Sequence, residues 1–318
     1  MPCFSPMKAY RPLSKLDGGR LVFNSKLALN PDHPITVPCG GCIGCRGDRV
    51  RDWAVRCAHE ASLYENNCFV TLTFDAEHMP AHYSVNVRTI QLFMKKLRKK
   101  FGSSIRFFAV GEYGSPNGSH PYHPHYHLLL FNFSFTDLQK LKHDQNDNIL
   151  YTSPTLSKLW KYGFSTVGEV NATTAGYCAG YNMKKINGDM AVEHYTRVHP
   201  LTGKVVNVLP EFSTQSRMPG IGYTWFQKFK NDCFPSDFIV IDGKEYPIPK
   251  YYLRLLEKQE GTPDKFEKFN DAAKRLSNKV KRKRKTTGLL RKADNTPERL
   301  RVRQEVRQRK LDQKKRDL

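Results

Sequence analysis

The stretch HPHYHLLLFNF, residues 123–133, decides how the rest of the chain is read. From His125 onward it is apolar at nearly every position, and HYHLLLFNF (125–133) reads as a buried strand. Side chains alternate between faces along a strand, so His125 and His127 project together while Tyr126 points the other way. Two imidazoles in phase form a two-point claw for a metal ion; the alternative is a pair of core histidines satisfied by backbone partners. A second frame, His123 with His125, would put Pro124 inside the strand, where proline removes a ladder donor. The His125–His127 frame is therefore taken, with His120 and His123 assigned to the preceding loop.

Working outward, IRFFAVGEY (105–113) is a second strand, joined to the first by a connection rich in Gly, Ser, Pro and His, as in a hairpin. Glu112, near its end, is the candidate third ligand. A carboxylate with two imidazoles suits a divalent ion that keeps positions open for phosphate oxygens; a surface acid is the plainer alternative. CFVTLTF (68–74) and GFSTVGEV (163–170) supply further strands, and FIVIDGKEY (238–246) a short β segment. Helical periodicity marks 48–64, 86–100, 223–231 and 249–258, and Ser153-Pro154 opens a short helix ending near Trp160. The alternation gives an α+β fold, a sheet with helices packed on it. The expected division is a cysteine-containing segment (1–60), a main domain (61–235), an extension (236–278) and a basic tail (279–318).

Asn171 caps a further helix, expected to run through TTAGYCAGYNMKK to residue 185 although two glycines weaken it. Tyr177, Tyr181 and Lys184 on this helix fall at about 0°, 40° and −20°, one sector of its surface. A cation beside two phenols favours phenolate and can grip a phosphate. An aromatic core stripe ending in a solvated lysine is the competing reading.

Charge names the class of partner. The 52 Lys+Arg against 30 Asp+Glu leave a net +22, which calls for a polyanion. Residues 279–318 hold 17 basic and 5 acidic residues, so they supply +12 of that excess. Within them Lys281, Arg282, Lys283, Arg284 and Lys285 are candidate phosphate contacts, unless the tail is only a solvated, disordered or frayed helical segment. Mean hydropathy is −0.60 and no apolar run approaches the roughly 20 residues that span a bilayer. The opening MPCFSPMKAYRP lacks the apolar stretch of a secretory signal. Among eight cysteines, Cys39, Cys42 and Cys45 bunch together. With Cys3 or Cys57 as a fourth ligand they could hold a structural Zn²⁺, although zinc ligands usually come as two separated pairs; free thiols or an iron–sulfur cluster are the alternatives.

Several of these motifs, in this order, carry a resemblance: FVTLTFD (69–75), GEYG (111–114), HPHYHLLLF (123–131) and YCAGYNMKK (177–185), flanked by PCGGCIGCR (38–46) and SRMPGIGYTWF (216–226). The chain resembles the replication initiators of gokushovirus-type microviruses, within the endonuclease superfamily named for its His-hydrophobic-His motif. That resemblance implies a central antiparallel sheet carrying the histidine pair, with the tyrosine helix beside it. It further implies cleavage and joining of single-stranded DNA at a replication origin, with Mg²⁺ or Mn²⁺ on His125, His127 and Glu112. Tyr177 and Tyr181 would be alternating nucleophiles assisted by Lys184, and the reaction would begin and end rolling-circle replication in the cytoplasm of a bacterial host. No GxxxxGK[ST] run is present, so a host helicase and DNA polymerase are the expected partners. A transposase or relaxase of the same chemistry, and a non-catalytic nucleic-acid-binding protein, are the other readings.

Overall fold

The computed structural model describes residues 3–13, 20–115, 122–143, 147–181, 185–186, 190–199, 202–234, 238–260 and 295–316. The chain falls into two compact units, one formed by Met1–Arg49 with Arg284–Leu318, the other by Val50–Lys283.

In the larger unit, β3 (Asn67–Phe74), β4 (Arg106–Tyr113), β5 (Pro124–Phe131), β6 (Gln139–His143), β7 (Ile149–Thr152), β8 (Gly163–Gly168) and β11 (Phe212–Gln215) form one seven-stranded sheet. Their spatial order is β11-β4-β5-β3-β8-β7-β6, with every neighbouring pair antiparallel. The fold is therefore α+β with a central antiparallel sheet. β5 lies between β4 and β3, as its LLLF run demands: a strand apolar on both faces is stable only where both faces are covered. Pro124 is tolerated because it is the strand's first residue.

Period-two alternation divides the core. Val70, Leu72, Ala109, Tyr126, Leu128 and Leu130 point to one face, where α2 (Val87–Phe101) brings Ile90, Phe93, Met94 and Leu97 at the expected helical spacing. Leu156 of α3 (Pro154–Leu159) and the adjoining Trp160 complete that layer. Phe69, Phe108, Val110, Leu129 and Phe131 point to the opposite face, against Trp53 and Cys57 of α1 (Ile43–Ala61) and Ala175 and Cys178 of α4 (Ala172–Gly180). Each fully buried side chain of this size contributes about 1.5–3 kcal/mol by leaving water. Gly111 is glycine for a packing reason: a Cβ there would lie 2.5 Å from the Phe212 ring and 3.1 Å from that of Tyr126.

A third cluster gathers α6 (Tyr223–Cys233), α7 (Lys250–Glu260) and the hairpin of β12 (Phe238–Ile241) with β13 (Lys244–Pro247). The segment leading into α6 is held by Glu60, fully buried on α1, which takes the Arg106 guanidinium on one oxygen. Its other oxygen accepts the Gly222 N–H at 2.7 Å, and Arg56 Nε donates to Ile221 O at 3.0 Å. SRMPGIGYTWF is thus in large part a docking segment for α6. Helix α5 (Met190–Tyr195) and the pair β9 (Thr196–Val198) with β10 (Val205–Asn207) also belong to this unit.

Two sequence expectations need revision. The tyrosine helix stops at Gly180 instead of continuing to residue 185, with Tyr181 as its C-cap; Gly176 and Gly180 add about 1 kcal/mol each of helix penalty to a short segment. The single β segment at 238–246 is a two-strand hairpin turning on Asp242 and Gly243, both at positive φ (50° and 72°) as a tight Asp-Gly turn requires. In the smaller unit, α8 (Pro297–Arg316) gives half of the tail a regular helix, with Leu300 buried and an exposed Glu305–Arg309 pair at 2.6 Å. Residues 281–285 lie outside the described residues. The smaller unit also contains the antiparallel pair β1 (Met7–Ala9) and β2 (Ile35–Val37).

Candidate active site

β4 and β5 pair with Glu112 opposite His125 and Val110 opposite His127, so all four project from the same face of the sheet. Glu112 Oε1 lies 2.6 Å from His125 Nε2 and 3.3 Å from His127 Nε2. The far nitrogens are both engaged. His125 Nδ1–H donates to the His123 carbonyl at 3.0 Å, since a carbonyl can only accept, and His127 Nδ1 lies 3.1 Å from Thr71 Oγ1. Each ring is therefore anchored through Nδ1 and presents Nε2 inward, the arrangement by which an outer partner orients a metal-binding imidazole.

One ligand atom from each of Glu112, His125 and His127 lies within 4.8 Å of the others, a donor set fitted to a divalent cation. Glu112 is buried, which alone would push its carboxyl up; hydrogen bonds and charge from the two imidazoles reverse this and hold it well below the usual carboxylate range. His123 is committed elsewhere, donating from Nε2 to the Phe74 carbonyl at 3.0 Å, which leaves the His125–His127 frame as the convergent one. Tyr126 points away as expected, its hydroxyl accepting the Asn86 N–H at 3.0 Å.

The Asn171–Thr174 capping box fixes the start of α4 and so aims its tyrosines. Tyr181 stacks on His127, ring centroids 4.7 Å apart and planes 3° from parallel, while Phe69 lies 5.6 Å away on the same ring. Tyr177 meets His127 edge-on at 5.7 Å and Tyr181 at 4.9 Å. The two phenols share one sector but not one environment: Tyr177 is 55% exposed and Tyr181 is 7% exposed. Burial, then the Glu112 charge, pushes the Tyr181 phenol up. Lys184 lies outside the described residues.

The structure also brings together Cys3, Cys39, Cys42 and Cys45, whose sulfurs all lie within 4.8 Å of one another. Cys57 is instead buried in the core with Phe108 and Ile221. Sequence reasoning missed Thr71 as the anchor of His127. Its signal was available only in the pairing of β3 with β5, which puts Thr71 opposite His127.

A histidine pair and a carboxylate on adjoining central strands, faced by a tyrosine helix, define a His-hydrophobic-His sheet protein. The family described as Replication-associated protein ORF2/G2P matches residues 67–186, the stretch from β3 to just beyond α4. Replication-associated protein ORF2 of Spiroplasma virus 4 is 30% identical over 289 residues, covering 81% of this chain and 81% of that protein. Replication-associated protein VP4 of Bdellovibrio phage phiMH2K is 29% identical over 289 residues, covering 88% of this chain and 84% of its own length. Replication-associated protein ORF4 of Chlamydia phage 1 is 28% identical over 250 residues, covering 76% of this chain and 59% of that protein. The chain belongs to this family of phage replication-associated proteins. No solved structure matches it.

Proposed function

We propose that the protein is a site-specific DNA nicking and joining enzyme that starts and ends rolling-circle replication of a small single-stranded DNA phage. The observation that carries this reading is the convergence of the His125 and His127 Nε2 atoms with the Glu112 carboxylate beside the exposed phenol of Tyr177. His125, His127 and Glu112 would hold a divalent ion, Mg²⁺ or Mn²⁺, which would supply Lewis-acid polarisation of the scissile phosphate. Thr71 and the His123 carbonyl keep the two rings turned toward that position.

The Tyr177 oxygen attacks phosphorus; a bond from phosphorus to the phenolic oxygen forms as the bond to the 3′ oxygen breaks. The phenol gives up its proton and the departing oxygen takes one. A 5′-phosphotyrosine and a free 3′ hydroxyl result, and the retained phosphodiester energy permits later rejoining. Tyr181, one helical turn away, makes the second cut after a shift that exposes it, because Tyr177 is then still occupied by DNA. Lys184 assists as a cation near the phosphate. Single-stranded origin DNA in the host cytoplasm is the substrate, with a host helicase and polymerase supplying unwinding and synthesis. Incubation with end-labelled origin oligonucleotide and Mg²⁺ or Mn²⁺, followed by denaturing electrophoresis, tests this. A covalent protein–DNA band is expected, lost in His125→Ala and His127→Ala while binding is retained; its absence from the unaltered protein, or unchanged nicking by both variants, overturns the proposal.

A further inference from the structure

We propose that Cys3, Cys39, Cys42 and Cys45 bind one structural Zn²⁺ as a tetrathiolate. All four are free cysteines and partly buried, with their sulfurs inside a 4.8 Å sphere of mutual distance. Cys3 Sγ lies 3.5 Å from Cys39 Sγ and 3.8 Å from Cys42 Sγ. A tetrahedron with zinc–sulfur bonds of about 2.3 Å has edges of about 3.8 Å. Such spacing suits four thiolates on a single ion and is too tight for four ligands spread over the irons of a cluster.

Three backbone N–H groups already point at these sulfurs: Phe4 N to Cys42 Sγ, Cys39 N to Cys3 Sγ and Cys42 N to Cys39 Sγ, each at 3.3 Å. Amide donors directed at sulfur stabilise thiolates, the form that binds metal. Cys42 and Cys45 flank the start of α1, so the negative thiolate cluster faces the positive end of that helix dipole. The ion closes the loop between Cys3 and Cys39 and fixes the N-terminal segment to α1. Metal analysis of the full-length protein, purified without chelator, tests this on folded material. About one zinc per chain is expected, released by a mercurial thiol reagent; Co²⁺ exchange should give the thiolate charge-transfer bands of a tetrahedral site. Cys3→Ser and Cys39→Ser should lose the metal and Cys57→Ser keep it. An unaltered protein with no bound zinc and no such cobalt spectrum overturns the proposal, as does full retention of zinc in both ligand variants.

A different observation points to a contact with the nucleic acid. The register places Glu112, His125, Thr73 and Phe164 in one lateral row across β4, β5, β3 and β8, all on the site face. Phe164 is nonetheless 72% exposed, while its neighbour Ser165 on the opposite face is buried. Two strand spacings, about 10 Å, separate it from the backbone of His125. A single exposed aromatic is unremarkable on a surface; one aligned with a metal-binding row on a rigid strand is a platform. The geometry points to Phe164 stacking on a base next to the scissile phosphate, an inference resting on the single-stranded DNA reading above.

Fluorescence anisotropy with the origin oligonucleotide tests it. Phe164→Ala should weaken binding about tenfold and Phe164→Trp restore it. Replacing the adjoining nucleotide by an abasic unit should abolish the difference. Equal affinity of Phe164→Ala and the unaltered protein overturns the stacking role. Because binding is read without cleavage, the two failures are distinguishable: absence of an adduct removes the nicking proposal and the scissile phosphate with it, whereas equal affinity of Phe164→Ala removes the stacking role alone.

Discussion

A histidine ring pressed against an indole at 3.4 Å between centroids, as His59 is against Trp225, has no room for the hydration a charge needs. Burial pushes its pKa down from 6.5 to about 3, and Nδ1 lies 3.0 Å from the Tyr252 hydroxyl. Between about pH 6.5 and 3 the unfolded chain therefore binds a proton that the folded chain excludes, and stability falls as pH falls through that window, by up to about 1.4 kcal/mol per pH unit. Urea unfolding of the unaltered protein and His59→Gln between these limits should give a shallower acid-side slope for the variant; parallel slopes would show His59 to be uninvolved. The tyrosines make a second prediction at this scale. Phenylalanine preserves the ring and deletes the hydroxyl, so Tyr177→Phe should abolish first-cut adduct from the exposed position. Tyr181→Phe should keep that adduct and lose circular product; normal circle formation would make Tyr181 only a packing residue. Phase along one strand made His125 and His127 legible in the sequence, and Tyr177 and Tyr181 shared a sector as their spacing required. Their unequal burial was not legible, because it depends on where α4 lands against Phe69 and His127.

Elements joined across long sequence separations depend on buried polar links that no local pattern announces. Glu60 comes from α1, Arg106 from β4 and Gly222 from the entry to α6, and one carboxylate serves both partners. Removing it leaves a guanidinium with 13% side-chain exposure short of its counter-charge. Glu60→Ala should cost about 3 kcal/mol or more in urea unfolding. Glu305→Ala, breaking a pair exposed on both sides, should leave stability essentially unchanged. Equal effects from the two substitutions would contradict the docking role. The strands at the sheet's centre and the amphipathic α2 were readable because burial imposes its period on the sequence. Outer strands such as β6, exposed at all five positions of QKLKH, and the short β9, β10 and β11 carry no such pattern.

At the scale of the molecule, much of the charge lies apart in sequence from the site: residues 279–318 hold +12 of the net +22, while Glu112, the histidine pair and the two tyrosines lie between positions 112 and 181. Neutralising Lys281, Arg282, Lys283, Arg284 and Lys285 to glutamine should weaken binding to any single strand alike. The dependence of log K on log salt should flatten by up to about 3.5, with cleavage retained at saturating DNA. An unchanged slope would show that these side chains do not meet phosphate. Composition revealed this excess at once, whereas the choice between Cys3 and Cys57 as the companion of Cys39, Cys42 and Cys45 required the folded chain. β5 has one further consequence. It is hydrogen-bonded on both sides and packed on both faces, so its amides should exchange with solvent only when the whole unit unfolds. Fraying of the β12–β13 hairpin or of β6 can then come and go in the native state without altering the spacing of the two imidazoles; the geometry of the histidine pair has the lifetime of the fold itself.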